Sequence, residues 1–157
     1  DDQKQFSSII DLIQDLQSDY KIKFPVHPRA KKNLEKFNLF KRLKNLKNVD
    51  LLKPLGYTDF LITLNSSTFV ITDSGGITEE TTVLGIPCIT LRKSTERPET
   101  VEIGTNELIG DDPNAFKPTL NKIFNGIWKE GAIPKFWDGL AAPRIIKNLL
   151  NIYNNDW

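Results

Sequence analysis

The sequence has few residues that form disulfides or bind metals. Its 157 residues include one cysteine, Cys88, and one histidine, His27. A single cysteine cannot form an internal disulfide, and one cysteine with one histidine is too few for the usual structural zinc sites. We therefore expect a protein of a reducing compartment, the cytoplasm, that holds no metal.

Long apolar runs and methionine are also absent. No stretch approaches the ~20 apolar residues that a membrane-spanning helix requires, and the start lacks the basic-then-apolar pattern of a signal peptide. We therefore expect no membrane association. Because the chain begins at Asp1 and contains no methionine, we expect a processed protein or a piece of a longer one. The length and the 39% hydrophobic content predict one compact domain with a sizeable core.

The net charge of +1 conceals two segments of opposite sign. Residues 29–53 carry nine basic and two acidic side chains, whereas residues 54–112 carry ten acidic and three basic ones. A nucleic-acid-binding patch is one interpretation of the basic segment, but Phe37 and Phe40 are its only aromatic residues, which is thin support for base stacking. We favour a solvated helix and loop and expect no nucleic-acid partner.

Helical and extended patterns alternate along the chain. Helices are predicted over residues 3–17, 29–37, 57–65, 76–84 and 98–103, and strands over 21–27, 49–53, 69–72, 87–91 and 106–109. A polar, basic loop is predicted over residues 38–48. The regular β-then-α order predicts an α/β fold with a parallel sheet that is doubly wound, with helices on both faces.

Two further helices are predicted towards the end of the chain. A helix-start signal at residues 111–113 precedes apolar residues at helical spacing. Pro118 interrupts that pattern and predicts either a kink or a helix that begins only near Lys117. Residues 139–157 carry apolar side chains at helical spacing and should pack as a final helix.

A short glycine-containing segment follows the predicted strand over residues 69–72. Ligands bind at the carboxyl ends of strands in open parallel sheets, and Ser74, Gly75 and Gly76 lie at that end. The backbone N–H groups at the start of the next helix, its dipole and the Ser74 hydroxyl favour a phosphate. A tight turn in which Ser74 only caps the helix is the equally weighted alternative.

Charged residues near the same strand ends add to this pattern. Glu80 lies early in the predicted helix, where a carboxylate can accept both ribose hydroxyls, although Glu79 and Glu80 fit dipole compensation equally well by spacing alone. Arg97 is placed like an anion clamp beside a helix-starting proline. The alternative for Arg97 is a surface ion pair with Glu96 or Glu99.

Three other residues have both a structural and a functional interpretation. His27 follows a predicted strand; a lone histidine is usually structural, but its place at a third strand end favours function. Phe60 follows the loop around Leu55, where backbone groups could bind a base; core packing is the better interpretation of Phe60 by itself. Cys88 is predicted to be a small buried hydrophobic residue.

Several segments resemble a known family when they are taken in order. They are His27-Pro28-Arg29, Pro54-Leu55-Gly56-Tyr57 with Phe60, residues 72–80, Leu84-Gly85-Ile86-Pro87, Leu91-Arg92, Thr95-Glu96-Arg97-Pro98-Glu99 and Gly104-Thr105-Asn106. Together they resemble the carboxyl-terminal half of the non-hydrolysing UDP-N-acetylglucosamine 2-epimerases. The resemblance implies an incomplete Rossmann-like sheet, from the carboxyl-terminal domain of a glycosyltransferase-B-type fold, spanning residues 1–157.

The resemblance also implies an activity. The family interconverts UDP-N-acetylglucosamine and UDP-N-acetylmannosamine, precursors of cell-surface polysaccharides, without a redox cofactor. UDP is eliminated to leave a 2-acetamidoglucal and is then re-added with the opposite configuration at C2. Complete enzymes of this type are expected to be homodimers.

The same resemblance assigns roles to individual residues. Ser74, Gly75 and Gly76 would hold the diphosphate, and Arg97 would complete the UDP site. Glu80 would bind the ribose. Leu55 and Phe60 would form the uracil pocket. His27 would assist departure of the diphosphate.

Two departures from the family pattern matter. Thr78 stands where the family usually has glutamine. The resemblance implies that the family's acid and base carboxylates come from an amino-terminal domain, which we expect this chain to lack together with the first strand of the carboxyl-terminal domain. We therefore expect the chain to be a fragment or one part of a split enzyme. A non-catalytic nucleotide-sugar-binding module and another UDP-sugar glycosyltransferase half are the alternatives.

Overall fold

The computed structural model describes residues 3–110 and 112–155. Asp111, from the predicted helix-start signal, and residues 156–157 of the predicted final helix lie outside the described residues. The chain divides into two compact units, Asp1–Thr63 and Leu64–Trp157. Each unit combines helices with parallel strands, so the predicted α/β class with parallel pairing is confirmed.

The first unit is built around a pair of parallel strands. Its elements are α1 (Gln3–Leu16), β1 (Ile22–Pro25), α2 (Pro28–Lys36), α3 (Phe40–Lys44) and β2 (Val49–Leu52), and α4 (Tyr57–Asn65) follows. Strands β1 and β2 pair in register from Ile22 with Val49 to Pro25 with Leu52. The core of this unit is apolar and consists of Ile10, Ile13, Val26, Leu34 and Leu43.

The predicted loop over residues 38–48 is wrong in its middle, where α3 forms. Asn38 adopts a left-handed conformation with φ of 58°, which ends the preceding helix. Leu43 then turns inward and is fully buried in the core. The sequence did not reveal this helix, because the basic side chains on its exposed face give the segment the composition of a loop.

The second unit contains a three-stranded parallel sheet. Its elements are β3 (Val70–Thr72), α5 (Gly75–Leu84), β4 (Cys88–Thr90), α6 (Pro98–Glu102), β5 (Asn106–Leu108), α7 (Pro113–Phe124) and α8 (Ala141–Asn155). The strand order is β3-β4-β5, so each strand pairs with its neighbour in sequence. The central strand β4 is buried throughout, and Cys88 is a buried residue as predicted.

Helix α7 begins earlier than Lys117, the start that one of the two predicted alternatives gave. It starts at Pro113, with the Asp112 carboxylate accepting a hydrogen bond from Asn114 N–H at 2.9 Å, and Pro118 lies inside it. A start only near Lys117 is therefore wrong. Proline near the beginning of a helix removes one backbone hydrogen bond, and the buried side chains of Phe116 and Leu120 hold the helix in place.

Helix α8 forms over most of the predicted final segment. Six of its apolar side chains are more than half exposed: Ile145, Ile146, Leu149, Leu150, Ile152 and Tyr153. The predicted packing of this helix stays a prediction. Among the residues that the structure describes, no helix is long and apolar enough to cross a membrane.

Candidate functional site

The turn from β3 into α5 is organised by its own polar groups. Thr72 Oγ1 accepts a hydrogen bond from Ser74 N–H at 3.0 Å, and Ser74 is the N-cap residue of α5 with extended backbone. The Ser74 side chain makes no capping hydrogen bond to the helix. The alternative in which the Ser74 side chain caps the helix is therefore wrong.

The two glycines of this turn differ in what surrounds them. A Cβ atom on Gly75 would lie 2.6 Å from Glu96 Oε1, so the Glu96 carboxylate approaches the first residue of α5 closely. A Cβ atom on Gly76 would meet no described atom within 4 Å. The protein itself therefore leaves open space beside Gly76, at the end of the helix that favours an anion.

Arg97 lies at the same edge of the sheet, at the N-cap of α6. Its Nε donates a hydrogen bond to Glu79 Oε1 at 2.6 Å, and Nη1 reaches the Glu96 carbonyl oxygen at 3.4 Å. The predicted alternative, an ion pair with Glu96 or Glu99, is therefore wrong: the carboxylate partner is Glu79, on α5. This contact places the guanidinium group beside the helix that begins at Ser74.

A second ion pair lies within the segment between β4 and α6. Arg92 Nη1 donates to Glu96 Oε2 at 3.0 Å and to Oε1 at 3.3 Å. The pKa of the Glu96 carboxyl lies below its ordinary value, chiefly because of a hydrogen bond from its own backbone N–H and then because of Arg92. The Arg92–Glu96 pair thus lies beside Gly75, and the Arg97–Glu79 pair joins α6 to α5. Sequence reasoning did not single out Arg92 or Glu79 as a partner, although both lie within the segments that carry the resemblance.

Buried hydroxyl and amide groups lie beneath this edge. Thr90 Oγ1 donates to Asn106 Oδ1 at 2.6 Å, and Asn106 Nδ2 donates to Thr100 Oγ1 at 3.3 Å. Thr100 Oγ1 in turn donates to the Arg97 carbonyl oxygen at 2.8 Å. Sequence reasoning missed this set, since threonine carries no hydrophobic pattern and no motif for chemistry.

His27 belongs to the first unit, where it is the N-cap residue of α2. Its Nδ1 accepts a hydrogen bond from Arg29 N–H at 3.3 Å. A ring nitrogen that accepts a hydrogen bond carries no proton, so the neutral imidazole has its proton on Nε2. The exposed ring therefore combines a structural role at Nδ1 with a donor at Nε2.

The other predicted residues are distributed between the two units. Leu55 and Phe60 lie in the first unit and are half-buried, with Phe60 in the first turn of α4. Glu80 lies in α5 of the second unit and is half-buried. Ser74, Gly75 and Gly76 thus lie at the start of the helix that carries Glu80 and that contacts Arg97 through Glu79. Among the described residues, no group of three or more histidine, cysteine, aspartate or glutamate side chains could hold a metal ion.

Known proteins with similar sequences point to one family. A family model described as UDP-N-acetylglucosamine 2-epimerase matches residues 1–150. A UDP-N-acetylglucosamine 2-epimerase of Methanocaldococcus jannaschii is 41% identical over 155 residues, which is 95% of this chain and 41% of that protein. One from Escherichia coli K12 is 33% identical over 139 residues, 85% of this chain and 36% of that protein. The chain therefore spans about two fifths of the length of these relatives.

Solved structures agree with the sequence comparisons. The M. jannaschii enzyme in complex with UDP-GlcNAc and UDP superposes with a TM-score of 0.83 at 38% identity, over 96% of this chain and 41% of that one. The Neisseria meningitidis enzyme bound to UDP-GlcNAc gives a TM-score of 0.75 at 28% identity, over 95% of this chain and 40% of that one. The predicted fold, an incomplete Rossmann-like sheet of glycosyltransferase-B type, is confirmed. The chain belongs to the UDP-N-acetylglucosamine 2-epimerase family.

Proposed function

We propose that this chain is the UDP-binding half of a non-hydrolysing UDP-N-acetylglucosamine 2-epimerase. The observation that carries the proposal is the Ser74 side chain, which stands at the start of α5 without capping it, while Arg97 is tied to the same helix through Glu79. A hydroxyl, helix N–H groups and a guanidinium group suit a diphosphate. Two similar solved structures contain bound UDP-GlcNAc, which supports the same ligand class.

Each predicted residue has a role in this proposal. Ser74, Gly75 and Gly76 bind the diphosphate, and the open space beside Gly76 lets phosphate oxygens approach the backbone. With Nε of Arg97 bonded to Glu79, its Nη2 group can face the phosphate. Glu80 accepts hydrogen bonds from the ribose hydroxyls, and Leu55 and Phe60 contribute the uracil pocket.

The proposed chemistry is elimination followed by re-addition. The bond from C1 of the sugar to the diphosphate oxygen breaks, UDP keeps the electron pair, and the proton on C2 leaves to a base. A C1–C2 double bond results. Re-addition of UDP to C1 and return of a proton to the opposite face of C2 give the epimer. The acid and base carboxylates belong to the portion of the relatives that this chain does not span.

His27 contributes to the departure of UDP in this scheme. Negative charge accumulates on the diphosphate as the C1–O bond breaks, and donors fixed in place stabilise that charge. The Nε2–H of His27 is such a donor, because Nδ1 is held by Arg29 N–H. We place the complete enzyme in the cytoplasm as a homodimer, supplying a sugar nucleotide for cell-surface polysaccharides.

One experiment separates this proposal from its alternatives. The chain is assayed alone and together with the amino-terminal half, using UDP-N-acetylglucosamine in deuterated water, with NMR detection at C2. We expect the epimer, with deuterium at C2, only in the combined sample. UDP binding without epimer formation in that sample would favour a non-catalytic binding module. Transfer of the sugar to an acceptor would favour a glycosyltransferase half.

A further inference from the structure

The backbone of Arg97 is held on both sides by hydroxyl groups. Its N–H donates to Thr95 Oγ1 at 3.0 Å. Its carbonyl oxygen accepts from Thr100 N–H at 3.1 Å and from Thr100 Oγ1 at 2.8 Å. The side chain that the proposed function directs at a phosphate therefore starts from a backbone position fixed by neighbours in sequence.

Thr100 is in turn fixed by the sheet. Asn106 Nδ2, at the start of β5, donates to Thr100 Oγ1, and Asn106 Oδ1 accepts from Thr90 Oγ1 at the end of β4. The exposed fractions of Thr90, Thr100 and Asn106 are 1%, 0% and 0%. We call these three residues the threonine–asparagine chain. Its hydrogen bonds run in one direction, from β4 through β5 to the Arg97 carbonyl.

Three connected polar side chains are unusual at such buried positions. Buried polar groups cost free energy unless each finds a partner, and apolar residues of the same size would be simpler at these positions. When satisfied, however, a buried polar network restricts its members to one arrangement. Among the described residues that are not exposed, no buried side-chain nitrogen or oxygen atom is without a partner.

We propose that Thr90, Asn106 and Thr100 are positioning residues that orient Arg97 towards the nucleotide phosphate. The inference rests on the proposed function for its ligand. The threonine–asparagine chain holds the backbone carbonyl of Arg97, and Glu79 holds Nε of the Arg97 side chain. Together these contacts present the guanidinium group in one orientation before the nucleotide arrives, which lowers the entropic cost of binding.

Two variants interrupt the threonine–asparagine chain at different hydrogen bonds, and two further variants serve as controls. Thr100→Val removes the hydroxyl that contacts Arg97, and Thr90→Val breaks the chain farther from the site, in case the first variant folds poorly. Thr100→Ser restores the hydroxyl. Thr119→Val makes the same chemical change at a buried threonine of α7, whose Oγ1 donates to the Ala115 carbonyl at 2.7 Å.

The readouts are the heteronuclear NOE of the Arg97 Nε–Hε group without nucleotide, and the Kd for UDP by calorimetry. We expect Thr100→Val and Thr90→Val to lower the NOE and Thr100→Val to raise the Kd severalfold, because an Arg97 side chain without a fixed orientation must be ordered when the nucleotide binds. Thr100→Ser and Thr119→Val should match the wild type in both readouts.

Two results would overturn the inference. One is an Arg97 NOE and a UDP Kd that Thr100→Val and Thr90→Val leave unchanged. The other is an equal loss in Thr119→Val, which would mean general loosening of the unit. A wild-type protein that binds no UDP would instead contradict the proposed function. The NOE would still decide whether the threonine–asparagine chain orders Arg97.

Discussion

Arg97 Nε and Glu79 Oε1 lie 2.6 Å apart and join the start of α6 to α5. The Arg97 and Glu79 side chains are 44% and 38% exposed, so the ion pair contributes little to the free energy of unfolding. Its consequence is geometric: the guanidinium group is held beside the helix that begins with Ser74. Glu79, which sequence spacing could not separate from Glu80, thus holds Arg97, whereas the ribose role of Glu80 is a proposal.

Substitution of the two glutamates should separate those roles. We expect Glu80→Ala to weaken UDP binding by about tenfold, because the ribose hydroxyls lose their acceptor. Glu79→Ala should weaken it by a smaller factor, since Arg97 loses its orientation but keeps its charge. Calorimetric titration of both variants tests this. Equal losses would remove the ribose assignment of Glu80.

Gly76 should be required by the ligand rather than by the fold. A Cβ atom there would meet no described atom within 4 Å, and alanine favours helix more than glycine does. Gly76→Ala should therefore leave the melting temperature unchanged or higher and weaken UDP binding at the same time. A lower melting temperature with full UDP affinity would contradict the open phosphate position beside Gly76.

His27 offers a substitution that keeps its structural role. Asparagine is a good N-cap residue, so His27→Asn should preserve the start of α2 while removing the Nε2–H donor. In the combined enzyme, we expect turnover to fall much more than UDP affinity, because the donation strengthens as charge develops on the leaving diphosphate.

Two further variants serve as controls for His27. His27→Ala should show the same turnover loss and, in addition, a loss of stability of about 1 kcal/mol from the missing cap. Arg97→Ala should lower affinity and turnover together, since the phosphate charge that it meets already exists in the ground state. Turnover that is unchanged in His27→Asn would leave His27 with the capping role alone.

Acid should destabilise the segment before α8. The Asp138 carboxylate accepts hydrogen bonds from Arg144 and from Leu140 N–H at 3.0 Å, and these contacts, with Arg144 first, hold the pKa of Asp138 well below its ordinary value. A carboxyl group with a lowered pKa in the folded state contributes stability above its unfolded pKa of about 4, which is lost as the pH falls towards the folded pKa. Because water screens this exposed pair, melting temperatures between pH 6 and pH 3 should fall only slightly more steeply for the wild type than for Asp138→Asn. Parallel curves would contradict this.

The sequence predicted local features better than contacts between elements. The cap of α7 and the extents of α1 and α2 depend on neighbours a few residues apart, and they were found close to where they were expected. The partner of Arg97 was not, because Glu79 lies 18 residues away and only the parallel pairing of β3 and β4 brings the two segments together.

The missed parts of the site share the same cause. Asn106 was noted only within the segment Gly104-Thr105-Asn106, and its connection to Thr90 and Thr100 depends on burial that no spacing in the sequence reveals. Helix α3 was missed because its single buried side chain, Leu43, is flanked by charged residues that belong to its exposed face. The sequence could not predict whether the Ser74 side chain caps α5, because this depends on the local geometry at the start of the helix.

The most direct test of the account is an amide and arginine NMR titration of this chain with UDP. The account predicts saturable binding with the largest shifts at the N–H groups of Gly75 and Gly76 and at the Arg97 Nε–Hε group. Absence of saturable shifts, or shifts confined to the basic surfaces of α2 and α3, would contradict a UDP site at the start of α5.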